Sequence, residues 1–163
     1  MSEWQRSTRA CSPGELPADM AAAVNHHMAA CNLGSLLEGI LAGVITTSEK
    51  KKKGLFGGAL ETVTLAAFVV PGWLVWVVKD KSGCTALSAR LADVAITEYK
   101  NTPAFRLIPD NGLEVTGTIT GRLGAEDRAQ GNAAVSVFIG LGSEPSAVSF
   151  QNVLLTNWQS ARA

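Results

Sequence analysis

The strongest hydrophobic signal lies between Thr62 and Val78, where TVTLAAFVVPGWLVWVV runs for 17 residues without a charge. Two readings of that run stay open. A membrane-spanning helix needs about 20 apolar residues, so this stretch sits at the short limit. Pro71-Gly72 at its centre opposes a helix, although membrane helices tolerate both residues. The other reading is two strands, 62–70 and 73–79, turning at Pro71-Gly72. Strands buried on both faces lose their alternation and look like this. Well-patterned strands follow directly and need partners, which favours the strand pair.

Downstream the period is two. Leu113, Val115 and Ile119 share one side of a strand over 113–120, with Glu114, Thr116, Thr118 and Thr120 opposite. Pro109-Asp110-Asn111-Gly112 carries tight-turn chemistry, which makes 105–108 its partner strand. Residues 85–90 alternate with Leu87 and Ala89 inward and Ser88 and Arg90 outward. Segments 94–99 and 134–141 complete the strands, and the polar, glycine-bearing 121–132 reads as a long mobile loop. After Gly142 the spacing changes to three and four. Ala147, Phe150, Leu154, Trp158 and Ala161 fall on one helical face, predicting a helix over 144–161 with Ser143 as cap and Pro145 in its first turn.

Upstream the pattern is weaker. Residues 1–14 are polar, end in Ser12-Pro13-Gly14 and read as a flexible tail. The 15–47 segment reads as helical, in two pieces. Pro17 and Asp19 open a helix over 17–31. Leu33, Leu36, Leu37, Ile40, Leu41 and Val44 form the stripe of a second over 34–45, weakened by Gly39 and Gly43. Lys50–Lys53 and Gly54-Leu55-Phe56-Gly57-Gly58 then mark 48–60 as a solvated linker, leaving 61–163 as the main domain.

Composition narrows the function classes. The 163 residues are 47% apolar and 17% charged, which suits a globular chain with a real core. Fourteen basic residues balance fourteen acidic ones, so there is no overall excess for phosphates and no nucleic-acid partner is expected. Cys11, Cys31 and Cys84 form no C-x-x-C pair and read as reduced thiols. The first residues lack an apolar signal core, and the expected compartment is the cytoplasm. His26 and His27 point about 100° apart on a helix, too divergent to share a metal. No nucleophile elbow, phosphate loop or dinucleotide fingerprint is present in the sequence. The expectation is a non-enzyme with no cofactor and no metal.

Trp73-Leu74-Val75-Trp76-Val77, Leu87-Ser88-Ala89-Arg90-Leu91, and Phe138-Ile139-Gly140-Leu141-Gly142 before the Trp158 helix carry a resemblance over about 62–161. In this order of elements the chain resembles the bacterial pleckstrin-homology-like (PH-like) superfamily. The resemblance implies an α+β fold, mainly β: a small antiparallel barrel closed by the C-terminal amphipathic helix, here preceded by the N-terminal helical segment. Members that bind phosphoinositides generally use a basic loop between the first two strands. With Pro71-Gly72 in that place, their headgroup site is not carried over.

Fold alone does not give function. The first expectation is a binding or adaptor module that contacts an unknown protein, or itself, through a strand edge or the N-terminal helices. The alternative is an adaptor on an anionic membrane surface, using Lys50, Lys51, Lys52, Lys53, Leu55 and Phe56.

Overall fold

The computed structural model describes residues 3–50, 61–121 and 135–163. Its frame is antiparallel sheet with two helices. Strands β1 (Trp4–Ala10), β2 (Ala42–Lys50), β3 (Glu61–Val70), β4 (Trp73–Asp80), β5 (Gly83–Arg90) and β8 (Thr120–Gly121) form one sheet in that order. A second sheet holds β6 (Val94–Glu98), β7 (Gly112–Gly117) and β9 (Val135–Gly140), ordered β6-β7-β9. Helix α1 (Ala18–Ala30) lies between β1 and β2 in sequence, and α2 (Pro145–Ala161) ends the chain.

The long apolar run is a strand pair. β3 and β4 pair from Val70↔Trp73 to Thr64↔Lys79, and Gly72 takes the positive φ of 78° that the tight turn requires. The lost alternation has a direct cause: both faces of the large sheet are covered. Leu65, Ala67, Val69, Leu74 and Trp76 face the small sheet and α2. Ala66, Phe68, Val75 and Val77 face α1 and the turn at Leu36–Gly39. No helix among the described residues is long and apolar enough to cross a membrane.

Several expectations are corrected. The supposed tail contains β1, which pairs with β2 from Trp4↔Lys50 to Ala10↔Val44. The second predicted helix is a single 3-10 turn, Leu36–Gly39, followed by β2. Leu33, Leu36, Leu37 and Ile40 do pack under the sheet, as a helix stripe would. From Ala42 onward, however, Val44-Ile45-Thr46-Thr47 is β-branched, and pairing along all of β3 overrides the helical spacing. Ser48, Glu49 and Lys50 of the supposed linker belong to β2, and Lys50 stands opposite Glu61. The 51–60 remainder joins two paired strands and lies outside the described residues. The boundary drawn at 48–60 therefore falls inside one sheet.

The expected barrel is not closed. The edge strands β1 and β9 meet through side chains, with no ladder between them. The 105–108 strand is also absent. Pro103–Arg106 is a 3-10 turn, and the partners of β7 are β6 and β9. A proline at each end of 103–109 removes a ladder donor and explains why pairing fails there. The 113–120 strand breaks at Gly117, after which Thr120-Gly121 joins β5 in the other sheet. Ser88 is wholly buried under α1, contrary to its expected outward position. Most of the mobile loop predicted over 121–132 falls outside the described residues.

Helix α2 closes the core as its pattern predicts. Ala147, Phe150 and Leu154 are buried, and the Trp158 Nε1–H donates to the Val94 carbonyl at 2.8 Å. Glu144, one residue past the expected Ser143, occupies the cap position.

The seam between β1, β2 and the start of α2 is polar and satisfied from within except at the buried Glu144 Oε2. Thr8 and Thr46 share a hydroxyl contact of 2.7 Å, and the Gly142 N–H donates to Thr8 Oγ1 at 2.7 Å. Arg6 spans from β1 to the turn before β7, donating to both Asp110 oxygens at 3.0 and 2.7 Å. Its third nitrogen donates to Ser48 Oγ, and Phe138 lies beneath the guanidinium at 5.3 Å. A Cβ on Gly140 would strike that guanidinium, so β9 keeps glycine where the arginine crosses it.

Candidate functional site

The connection from β6 to β7 is ordered by its own contacts. Thr102 Oγ1 donates to the Tyr99 carbonyl at 2.7 Å, and the Tyr99 hydroxyl donates to the Ile108 carbonyl at 3.0 Å. Tyr99 packs edge-on against Phe105 and Phe138, with centroids 6.2 and 4.9 Å apart. Phe138 continues to Arg6 and the Trp4 ring, so the loop is braced against β1 as well as β9. At the tip of this braced loop Leu107 is 85% exposed and Ile108 64% exposed. Single exposed apolar residues are ordinary. Here two adjacent branched aliphatics are held out together by a hydrogen-bonded loop.

A second feature is the groove between α1 and β5, a cavity of about 460 Å³ lined by His26, His27, Cys31, Cys84 and small residues such as Ala23 and Ala86. His27 is 7% exposed and its Nε2 lies 2.8 Å from Ser88 Oγ. Burial holds His27 below the ordinary histidine range, and the neighbouring His26 adds to the effect. The Cys31 sulfur is 3.7 Å from Nδ1 and 3.8 Å from Nε2. Near-equal distances put the sulfur over the ring, off the line of either nitrogen's lone pair. That placement makes neither a proton relay nor a metal chelate. Ser88 lies behind the imidazole, away from the groove, and no cluster of three metal-ligating side chains occurs among the described residues. Burial also pushes the Cys11 and Cys84 thiols up.

Of the residues predicted to touch an anionic surface, Lys50 ends β2. Its Nζ is 2.9 Å from the Glu3 carboxylate and lies over the Trp4 ring at 5.7 Å. The Glu3 carboxylate raises its pKa. Lys51, Lys52, Lys53, Leu55 and Phe56 lie outside the described residues.

The sequence reading missed the Leu107–Ile108 tip and the His27–Ser88 pair. Flanking Pro103 and Pro109 were the available signal for the first. For the second, the alternation of β5 was right, but its far face is covered by α1. Family models, curated proteins and solved structures were compared with the chain, and none matches.

Proposed function

We propose that this chain is a non-catalytic binding module that docks on an apolar pocket of a protein surface through the tip of the 99–111 loop. One observation carries this reading: Leu107 and Ile108 are the two most exposed large apolar side chains described, and they stand on an ordered loop. Full burial of two such side chains contributes roughly 3–6 kcal/mol, enough to anchor a specific contact. A formal net charge of zero puts no long-range repulsion in the way of self-association, so a second copy is one admissible partner. The PH-like assignment belongs to the same proposal. Its support is the order of antiparallel strands and the terminal helix packed through Phe150 and Leu154; the unclosed sheets depart from it.

The test substitutes Leu107→Ser and Ile108→Ser together. Thermal stability should stay within about 0.5 kcal/mol, as for surface changes generally. Light scattering across a concentration series and photo-crosslinking from the 99–111 loop should show loss of whatever association the unaltered chain makes. Unchanged association in the double variant rejects the loop.

A second reading is favoured by one feature of the sheet. Lys50 ends β2 opposite Glu61, and the Lys81-Ser82 turn joins β4 to β5 at that same end. In sequence Lys51–Lys53 follows Lys50 between β2 and β3, whereas Pro71-Gly72 turns β3 into β4. The reason given for setting aside a basic-loop lipid site therefore falls away. Each lysine near an anionic leaflet contributes about 1 kcal/mol. Co-sedimentation with anionic vesicles that vanishes at high salt and in Lys50–Lys53→Gln supports this reading; no vesicle binding at low salt removes it.

A further inference from the structure

Helix α1 is the one helix on the Phe68–Val77 face of the large sheet among the described residues, and it docks mainly through apolar side chains. Met20, Val24 and Met28 are buried against that face. Its polar tethers lie at its two ends. At its first turn Asp19 pairs with Lys79 in the open, an arrangement of little energetic weight. Near its last turn His27 meets Ser88, both buried.

The surroundings of His27 suit a neutral ring. Its own helix offers His26, and Cys31 follows just beyond the last turn. β5 offers Ser88, Thr85 and Cys84, β4 the apolar Val75 and Val77, and β8 only Gly121. The neighbouring His26 opposes a charge on the ring, and the exposed Asp19–Lys79 pair lies at the other end of α1. No carboxylate among the described residues faces the imidazole. A neutral ring needs one partner for its N–H and one for its lone pair, whereas an imidazolium carries two N–H donors. Ser88 can accept one of them. The other has near it only the Cys31 sulfur, a weak acceptor 3.7 Å away that lies off the line of the N–H.

We propose that α1 is an acid-releasable cover, in which protonation of His27 loosens the helix from the sheet and opens the groove between α1 and β5. Above the free histidine value of about 6.5 the ring is neutral docked or released, and docking is complete. Below it the released helix takes up a proton that the docked ring resists. Docking then weakens by up to about tenfold per pH unit until the docked ring itself titrates. The sign is fixed: acid opens, neutral pH closes.

Amide hydrogen exchange on the full chain, expressed as protection factors at pH 7.5, 6.5 and 5.5, reads this directly. Protection in 21–30 should fall by up to about fivefold between pH 6.5 and 5.5, and by up to about tenfold between pH 7.5 and 5.5, while β3 and β4 stay protected. In His27→Gln that pH dependence should disappear. Parallel loss of protection in α1, β3 and β4, or an undiminished α1 response in His27→Gln, overturns the proposal. Should His27→Gln fail to fold, the imidazole shifts of the unaltered chain decide. Titration of His27 at or above the free value contradicts a cover held by a neutral ring, and titration below it supports one.

Discussion

Replacing Arg6 with methionine is expected to lower the unfolding free energy by about 3–5 kcal/mol, as breaking one side of a buried ion pair does. The Arg6 and Asp110 side chains are only 12% and 10% exposed, so Asp110 would keep its charge without its main partner. Ser48 Oγ would lose its donor, and the loop before β7 would lose its hold on β1. The double change Arg6→Met with Asp110→Leu should restore much of the loss, because removing both charges leaves none buried and unpaired. Urea denaturation of the three chains measures this. Equal stability of Arg6→Met and the unaltered chain would refute the lock. Gly140→Val should mimic Arg6→Met, since its side chain would displace the guanidinium.

Phe68→Ala should cost about 3–5 kcal/mol, the usual loss for a large aromatic in a packed core. Phe68 is fully buried beneath α1, and its neighbour Val69 is fully buried on the opposite face. A sheet wet on one side would tolerate a polar residue at one of the two positions. Here Phe68→Asp and Val69→Asp should both abolish the cooperative thermal transition, since each buries an unpaired charge. Tolerance of either substitution would mean that one face of β3 is open. Total stability of a domain is of order 5–15 kcal/mol, so each of these changes removes a large share.

The elements readable in the sequence were those whose burial is apolar. β3, β4 and α2 announce themselves through Leu65–Val70, Trp73–Val77 and the Ala147–Leu154 face, and their bounds were nearly right. β1 and β2 are buried in large part through polar groups, beside Val44 and Ile45. Thr8, Thr46 and Ser48 are interior residues satisfied by one another, by Arg6 and by the Gly142 N–H. A hydropathy pattern cannot separate such a seam from a solvated tail, because the partners that make it dry are far apart in sequence. The helix drawn over 34–45 failed for a related reason. Leu36, Leu37 and Ile40 do point to a core while Leu41 is exposed; the core is reached by a turn, and pairing with β3 decides the rest.

The site was less legible than the fold. Leu107 and Ile108 sit where a strand over 105–108 was expected, and the aromatic brace that holds them joins Tyr99, Phe105 and Phe138 across 40 residues. The sequence separated His26 and His27 onto different helix faces, but the buried partner of His27, Ser88, needed the knowledge that α1 covers β5.

A chain shortened to residues 61–163 tests the central claim most directly, that the first fifty residues are part of the sheet on which everything else rests. Without β1, β2 and α1, Phe68, Val75 and Val77 are uncovered and Asp110 loses Arg6. Its two-dimensional amide NMR spectrum should be poorly dispersed, with no cooperative thermal transition. A well-dispersed spectrum and a sharp transition from the shortened chain would contradict the claim, making the N-terminal part an appendage to an independent domain.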